Sequence, residues 1–101
     1  MGKKILLACA GGFSTSMLVE KMKEVIEQKN LDYTVEACSE SKITQYLPAS
    51  IIMLGPQMGH MEKEVKEIVG EDIPVTTIDM QDYGMMDGEK VLEHALNLIN
   101  K

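Results

Sequence analysis

Short unbroken apolar runs alternate along the chain with longer stretches in which apolar residues return every three or four positions. Lys4–Ala8 is the first run, closed by a Gly-rich segment, the pattern of a parallel strand buried on both faces. From Ser16 to Lys29 the period turns helical. Leu18, Met22, Val25, Ile26 and Lys29 fall on one side, Glu20, Lys21, Glu24 and Glu27 on the other, and Asn30 is a natural stop. Tyr33–Cys38 alternates and reads as a second strand. Ser39–Leu47 is polar with Ile43, Tyr46 and Leu47 on one face, a short helix that ends before Pro48. Ser50–Leu54 is a third strand, closed by Gly55-Pro56. The helix after it carries Met61, Val65, Ile68 and Val69 as its stripe and Gly70 as its stop. Pro74–Ile78 reads as a fourth strand, with Pro tolerated as its first residue. Asp79–Gly84 is a loop or a single helical turn. Gly88–Asn100 is a last helix, with Val91, Leu92, Ala95, Leu98 and Ile99 inward and Asp87 as its N-cap.

Strand and helix thus alternate four times in 101 residues. That order calls for an α/β fold in three layers, a parallel sheet with helices on both faces and right-handed crossovers. The length allows one domain, residues 1–101, and no linker or repeat divides it.

Composition narrows the partners. Hydrophobic residues make up 45% and charged residues 26%, a globular balance, with a core that must be aliphatic and Met-rich because aromatics are only 4% and there are 9 Met. The net charge of −6 argues against nucleic acid and anionic membrane surfaces, which need a basic footprint. All ten basic residues are Lys, so the usual bidentate phosphate clamp, Arg, is absent. Lys3 and Lys4 before Ile5-Leu6-Leu7-Ala8-Cys9 imitate a signal peptide. The apolar stretch of about six residues is shorter than the 7–15 of a true signal core, and no run approaches the ~18 needed to span a membrane. Cys9 and Cys38 match no metal spacing. One disulfide could join them, but a reducing cytoplasm suits the rest of the sequence better. Neither a metal nor a cofactor is expected.

The candidate chemistry sits in Cys9-Ala10-Gly11-Gly12-Phe13-Ser14-Thr15-Ser16, between the first strand and the first helix. Ligands of open α/β sheets bind at the carboxyl ends of strands. A Gly-rich turn there aims backbone N–H groups inward, and the helix N-terminus adds partial positive charge, an anion cradle that needs no Arg. A cysteine at its mouth should be an acidic thiol able to accept and hold a phosphoryl group. The bland alternative is that Cys9 ends a buried strand as a small inert hydrophobe, and spacing by itself does not choose between the two.

The run Lys4–Met22 resembles the phosphate loop of enzyme IIB of the lactose/cellobiose type, from the bacterial sugar phosphotransferase system. Met53-Leu54-Gly55-Pro56-Gln57-Met58 and Asp82-Tyr83-Gly84-Met85-Met86-Asp87-Gly88 resemble the family's second and third signatures, in the same order along essentially the whole chain. The resemblance implies a four-stranded parallel sheet in order 2-1-3-4, similar to low-molecular-weight tyrosine phosphatases. It implies that Cys9 takes a phosphoryl group from a phosphohistidine of IIA, carries it as phosphocysteine, and passes it to a sugar bound by the membrane component IIC. The sugar implied is a β-linked disaccharide such as cellobiose, chitobiose or lactose. The protein so implied is cytoplasmic and bacterial; the chain starts and stops like a free-standing IIB, and a monomer is the default expectation. Ala10, Gly11, Gly12, Phe13, Ser14, Thr15 and Ser16 are then the phosphate-binding residues. Cys9-Ala10-Gly11-Gly12 resembles lactose-type members and Ser14-Thr15-Ser16 cellobiose-type ones.

The related phosphatases carry Cys-x5-Arg-Ser/Thr. Here that frame ends at Thr15 and Ser16, and the Arg is missing. A small cysteine phosphatase is therefore the runner-up enzyme, disfavoured because no Arg is present to bind the transition state. A non-enzymatic module of flavodoxin-like form that binds a small anion or serves as a receiver is the third reading; a receiver would want an acidic pocket where the first and third strands end in Cys9 and Gly55-Pro56. Gln57, His60 and Tyr83 are candidates to flank the phosphate or contact a partner. Cys38 is expected to be a buried structural thiol, and Asp79 and Asp82 to be structural, capping the turn after the fourth strand. Met58, Met61, Met85 and Met86 read as core filling or as an adaptable docking surface.

Overall fold

The computed structural model describes residues 3–9 and 13–100. Four strands, β1 (Lys3–Ala8), β2 (Tyr33–Cys38), β3 (Ile51–Leu54) and β4 (Val75–Thr77), form a parallel sheet in the order β2-β1-β3-β4. Among the described residues, four α-helices connect and flank them: α1 (Phe13–Gln28), α2 (Glu62–Val69), α3 (Met80–Gly84) and α4 (Gly88–Ile99). Two 3-10 helices, Glu40–Tyr46 and Pro56–Met61, complete the connections. The order 2-1-3-4 is the one the family resemblance implied, and the parallel sheet flanked by helices is the one the alternation of elements called for.

The alternation within each strand divides the core in two. Ile5 and Leu7, with Val35, Ile51 and Met53, face α1 and α4 and meet Leu18, Met22, Val91, Leu92 and Ala95. Leu6 and Ala8, with Ile52, Leu54 and Val75, face the other way and meet Ile43, Met58 and Val65. Both faces of the central strands β1 and β3 are buried, which is why their sequences are unbroken apolar runs. Each large aliphatic side chain buried there contributes roughly 1.5–3 kcal/mol.

Gly88 opens α4 at its contact with α1. A Cβ at Gly88 would lie 2.7 Å from Lys21 Cβ and 2.8 Å from Met22 N, so only glycine admits this approach of the two helices. Asp87 caps α4, its carboxylate accepting from the Lys90 N–H at 3.1 Å. Asn30, the expected stop of α1, takes a left-handed φ of 55°.

Several expectations need correction. α1 begins at Phe13, three residues before the expected Ser16, because its first turn carries hydroxyl residues and no apolar repeat that would announce it. Lys29 does not face inward. It is exposed and pairs with Glu89 at 3.2 Å, while Val19 joins the buried stripe. Ile68 is 52% exposed, because it lies about 100° of helix rotation from Val69 and turns off the face that Val65 and Val69 present to the sheet. Leu98 and Ile99 are only half-buried against the core. β4 is shorter than Pro74–Ile78, yet its flanks extend the ladder: Ile52 N–H donates to Pro74 O at 2.9 Å and Ile78 N–H to Leu54 O at 2.8 Å.

Candidate functional site

The exit of β1 is gripped from both sides. Cys9 N–H donates to Cys38 O at 3.1 Å, and Gly55 N–H donates to Ala8 O at 2.9 Å. Cys9 is therefore fixed at the carboxyl edge of the central strands, with only 6% of its surface exposed. Gly55 allows β3 to leave the sheet directly beside it. A Cβ on Gly55 would stand 3.1 Å from Cys9 Cβ, 3.3 Å from Gln57 Oε1 and 3.6 Å from Cys9 Sγ. The same contacts place the Gln57 amide oxygen next to the Gly55–Cys9 packing.

Among the described residues, two hydroxyls meet the sulfur. Thr15 Oγ1, in the first turn of α1, donates to Cys9 Sγ at 2.8 Å. Tyr83 Oη, on α3, lies 3.2 Å from Thr15 Oγ1 and 4.0 Å from Cys9 Sγ. Thr15 is 1% exposed, a buried polar side chain satisfied by these partners. The Tyr83 ring packs against the α1–α4 core, and Asp79 sets α3 by accepting from Gln81 N–H at 2.9 Å and Asp82 N–H at 3.2 Å. The capping role expected of this segment belongs to Asp79.

Of the proposed phosphate-binding residues, the structure brings Thr15 to the sulfur and leaves Ser16 exposed on the next helical position. Ala10, Gly11 and Gly12, and the side chains of Phe13 and Ser14, lie outside the described residues. His60 is exposed at the end of the Pro56–Met61 helix. The four methionines divide: Met58 is core, Met61 and Met86 pack against the two clusters, and Met85 is 70% exposed. Two further exposed methionines, Met17 and Met80, were not singled out by the sequence, where an apolar residue in a helix reads as core. The Thr15–Tyr83 bond was also missed. It joins residues 68 apart, and no sequence spacing encodes it.

Cys38 is half-buried rather than fully buried, because β2 is an edge strand, and it packs on the α2 side of the sheet. Burial pushes its thiol up from the ordinary value. The Glu36 and Glu40 carboxylates push it the same way, and Lys4 acts weakly against them. Neither cysteine is joined in a disulfide. Among the described residues no helix is long and apolar enough to cross a membrane.

Residues 4–94 match the family model described as "PTS system, Lactose/Cellobiose specific IIB subunit". The galactose-specific EIIB component of Lactococcus lactis subsp. cremoris is 44% identical over 107 aligned positions, covering 97% of both chains. The oligo-beta-mannoside-specific EIIB component of Bacillus subtilis is 42% identical, covering 96% of both. Among solved structures, the cellobiose-specific phosphotransferase IIB component from Borrelia burgdorferi superposes with a TM-score of 0.81 at 37% identity, over 99% of this chain and 94% of that one. The lactose-specific IIB domain from Streptococcus pneumoniae reaches the same 0.81 at 18% identity, over 96% of this chain and 97% of that one, a likeness of fold. With the sheet order and the three signature segments already placed, the match over nearly the whole chain settles the family: this protein belongs to the lactose/cellobiose-specific IIB subunits of the sugar phosphotransferase system, and its activity class is phosphotransfer.

Proposed function

We propose that Cys9 is the phosphoacceptor of a cytoplasmic bacterial IIB domain. The observation that carries this reading is the sulfur itself, held at the carboxyl edge of β1 with a buried hydroxyl donor 2.8 Å away. A hydroxyl donated to sulfur favours the thiolate, which is the nucleophile. The thiolate attacks the phosphorus of a phosphohistidine on IIA in line. The S–P bond forms, the P–N bond breaks, and its electron pair returns to the imidazole. In the second step a sugar hydroxyl on IIC attacks the same phosphorus. The O–P bond forms, the S–P bond breaks, the thiolate is regenerated and the hydroxyl proton passes to a base outside this chain.

Thr15 occupies the slot held by Arg in the related phosphatases. A neutral hydroxyl there leaves no cation to stabilise hydrolysis, which suits a carrier and argues against the phosphatase alternative. The segment of residues 10–16 then has to hold the phosphoryl oxygens. Relatives at 42–44% identity carry the names of galactose, cellobiose and oligo-beta-mannoside systems. Sugar choice therefore does not follow overall similarity in IIB. It belongs to the IIC partner, with a β-linked disaccharide such as cellobiose, chitobiose or lactose as the substrate class.

The test is a two-stage mass measurement. Incubation with phosphorylated IIA should add one phosphoryl group to the intact chain. Membranes containing the cognate IIC and its sugar should then remove it. Release of inorganic phosphate at the same rate without IIC and sugar would instead make the protein a phosphatase.

A further inference from the structure

The geometry points to Tyr83 as a positioning residue that acts on the Cys9 sulfur only through the Thr15 hydroxyl. The inference rests on Cys9 being the reactive thiol, and it adds a directed hydroxyl chain, Tyr83 to Thr15 to Cys9, that sets the sulfur's reactivity.

A hydroxyl has one proton to donate. Thr15 donates its proton to Cys9 Sγ at 2.8 Å. At the 3.2 Å contact with Tyr83 it must therefore accept, and Tyr83 Oη must donate. The chain of donors runs one way, toward the sulfur. Each bond polarises the next, so a donor behind Thr15 strengthens the bond Thr15 makes. At 4.0 Å Tyr83 is too far from Sγ for a strong direct bond, and its effect is carried by the intermediate. Thr15 is 1% exposed, so solvent cannot readily replace Tyr83 behind it. Tyr83 in turn is held by its ring in the α1–α4 core and by the Asp79 cap of α3. Among the described residues, Tyr83 from α3 is the titratable group recorded beside the sulfur, while Cys38 on the neighbouring strand β2 packs on the opposite face.

The chain serves both halves of the transfer. It favours the thiolate that attacks IIA, and it favours the thiolate that departs when the sugar is phosphorylated. In the phosphocysteine state the sulfur bears no negative charge and accepts poorly. The Thr15 proton then has to turn to a phosphoryl oxygen, with Tyr83 still donating behind it.

The experiment is a double-mutant cycle read by alkylation of Cys9 against pH, resolved by peptide so that Cys38 is an internal control. It uses the whole chain and needs neither IIA nor sugar, so it stands or falls separately from the phosphoacceptor test. Thr15→Val should raise the alkylation midpoint of Cys9 by about one pH unit, the size of one hydrogen bond to a charged acceptor. Tyr83→Phe, which keeps the ring, should raise it by about 0.3–0.5 unit. In the Thr15→Val background Tyr83→Phe should add nothing, because the link is gone. Thr15→Ser should keep the wild-type midpoint, and Thr15→Ala serves in place of Thr15→Val where valine disturbs folding. Additive shifts in the double variant, or a Tyr83→Phe midpoint equal to wild type, would overturn the inference.

Discussion

Cys9 and Cys38 leave the same sheet edge on neighbouring strands, and the structure treats them differently. Cys38 pairs in register with Ala8, and its carbonyl accepts the Cys9 N–H. The one-residue offset decides the rest, since successive side chains point to opposite faces. Cys38 falls on the α2 side, half-buried, where burial and the Glu36 and Glu40 carboxylates hold it as a thiol. The Cys9 sulfur meets Thr15 and Tyr83 instead, two hydroxyls from α1 and α3. Opposed faces also work against the disulfide that cysteine counting left open. The lesson is that a cysteine's position in a strand does not make it reactive. The donors and charges brought to its face do.

The comparison breaks first at the sulfur. Cys9→Ser should lose phosphoryl transfer below detection, while Cys38→Ala should transfer within about twofold of wild type, as expected for a site away from the chemistry. Phosphorylation by IIA followed by intact mass measures both. Any reversal of that order would mean the wrong thiol has been assigned.

A smaller effect is expected where Cys9 packs on Gly55. Gly55→Ala places a methyl 3.1 Å from Cys9 Cβ, and the exit of β1 must give by a few tenths of an ångström. Transfer should fall about tenfold, since sub-ångström displacement of a nucleophile is costly. Thermal unfolding should change little, and Cys38 alkylation should not change. Wild-type transfer kinetics in this variant would show that the close β3 approach does not position the sulfur.

The smallest effect sharpens the electrostatic side. Glu40→Gln removes a negative charge that disfavours the Cys38 thiolate, so the Cys38 alkylation midpoint should move down, by about 0.2–0.5 pH unit. A Cys38 midpoint that moves up or stays fixed would remove Glu40 from the account.

Much of this architecture was legible in the chain. Tyr33–Cys38 emerged with its boundaries because its alternation marks a half-buried strand, and the third strand emerged as Ser50–Leu54, one residue early, because four consecutive apolar residues need burial on both faces. Asp87 was recognisable as a cap from local chemistry. The start of α1 was hidden because Ser14, Thr15 and Ser16 carry no apolar period, and that error placed Thr15 in a loop when it belongs to the helix's first turn. The candidate nucleophile was legible from its Gly- and hydroxyl-rich flank. Its partner Tyr83 was named only as a flanking candidate. The bond between Thr15 and Tyr83 depends on how α3 packs beside α1 after 68 intervening residues, which no local pattern records.

The most direct measurement is the site of the phosphoryl group. The wild-type chain is incubated with phosphorylated IIA, digested under conditions that preserve thiophosphate esters, and its peptides are resolved by mass. The account predicts a single modified peptide, the one containing Cys9, and none in the Cys9→Ser variant. A phosphoryl group on the peptide bearing Cys38, on His60, or retained on Ser14 in that variant would contradict it.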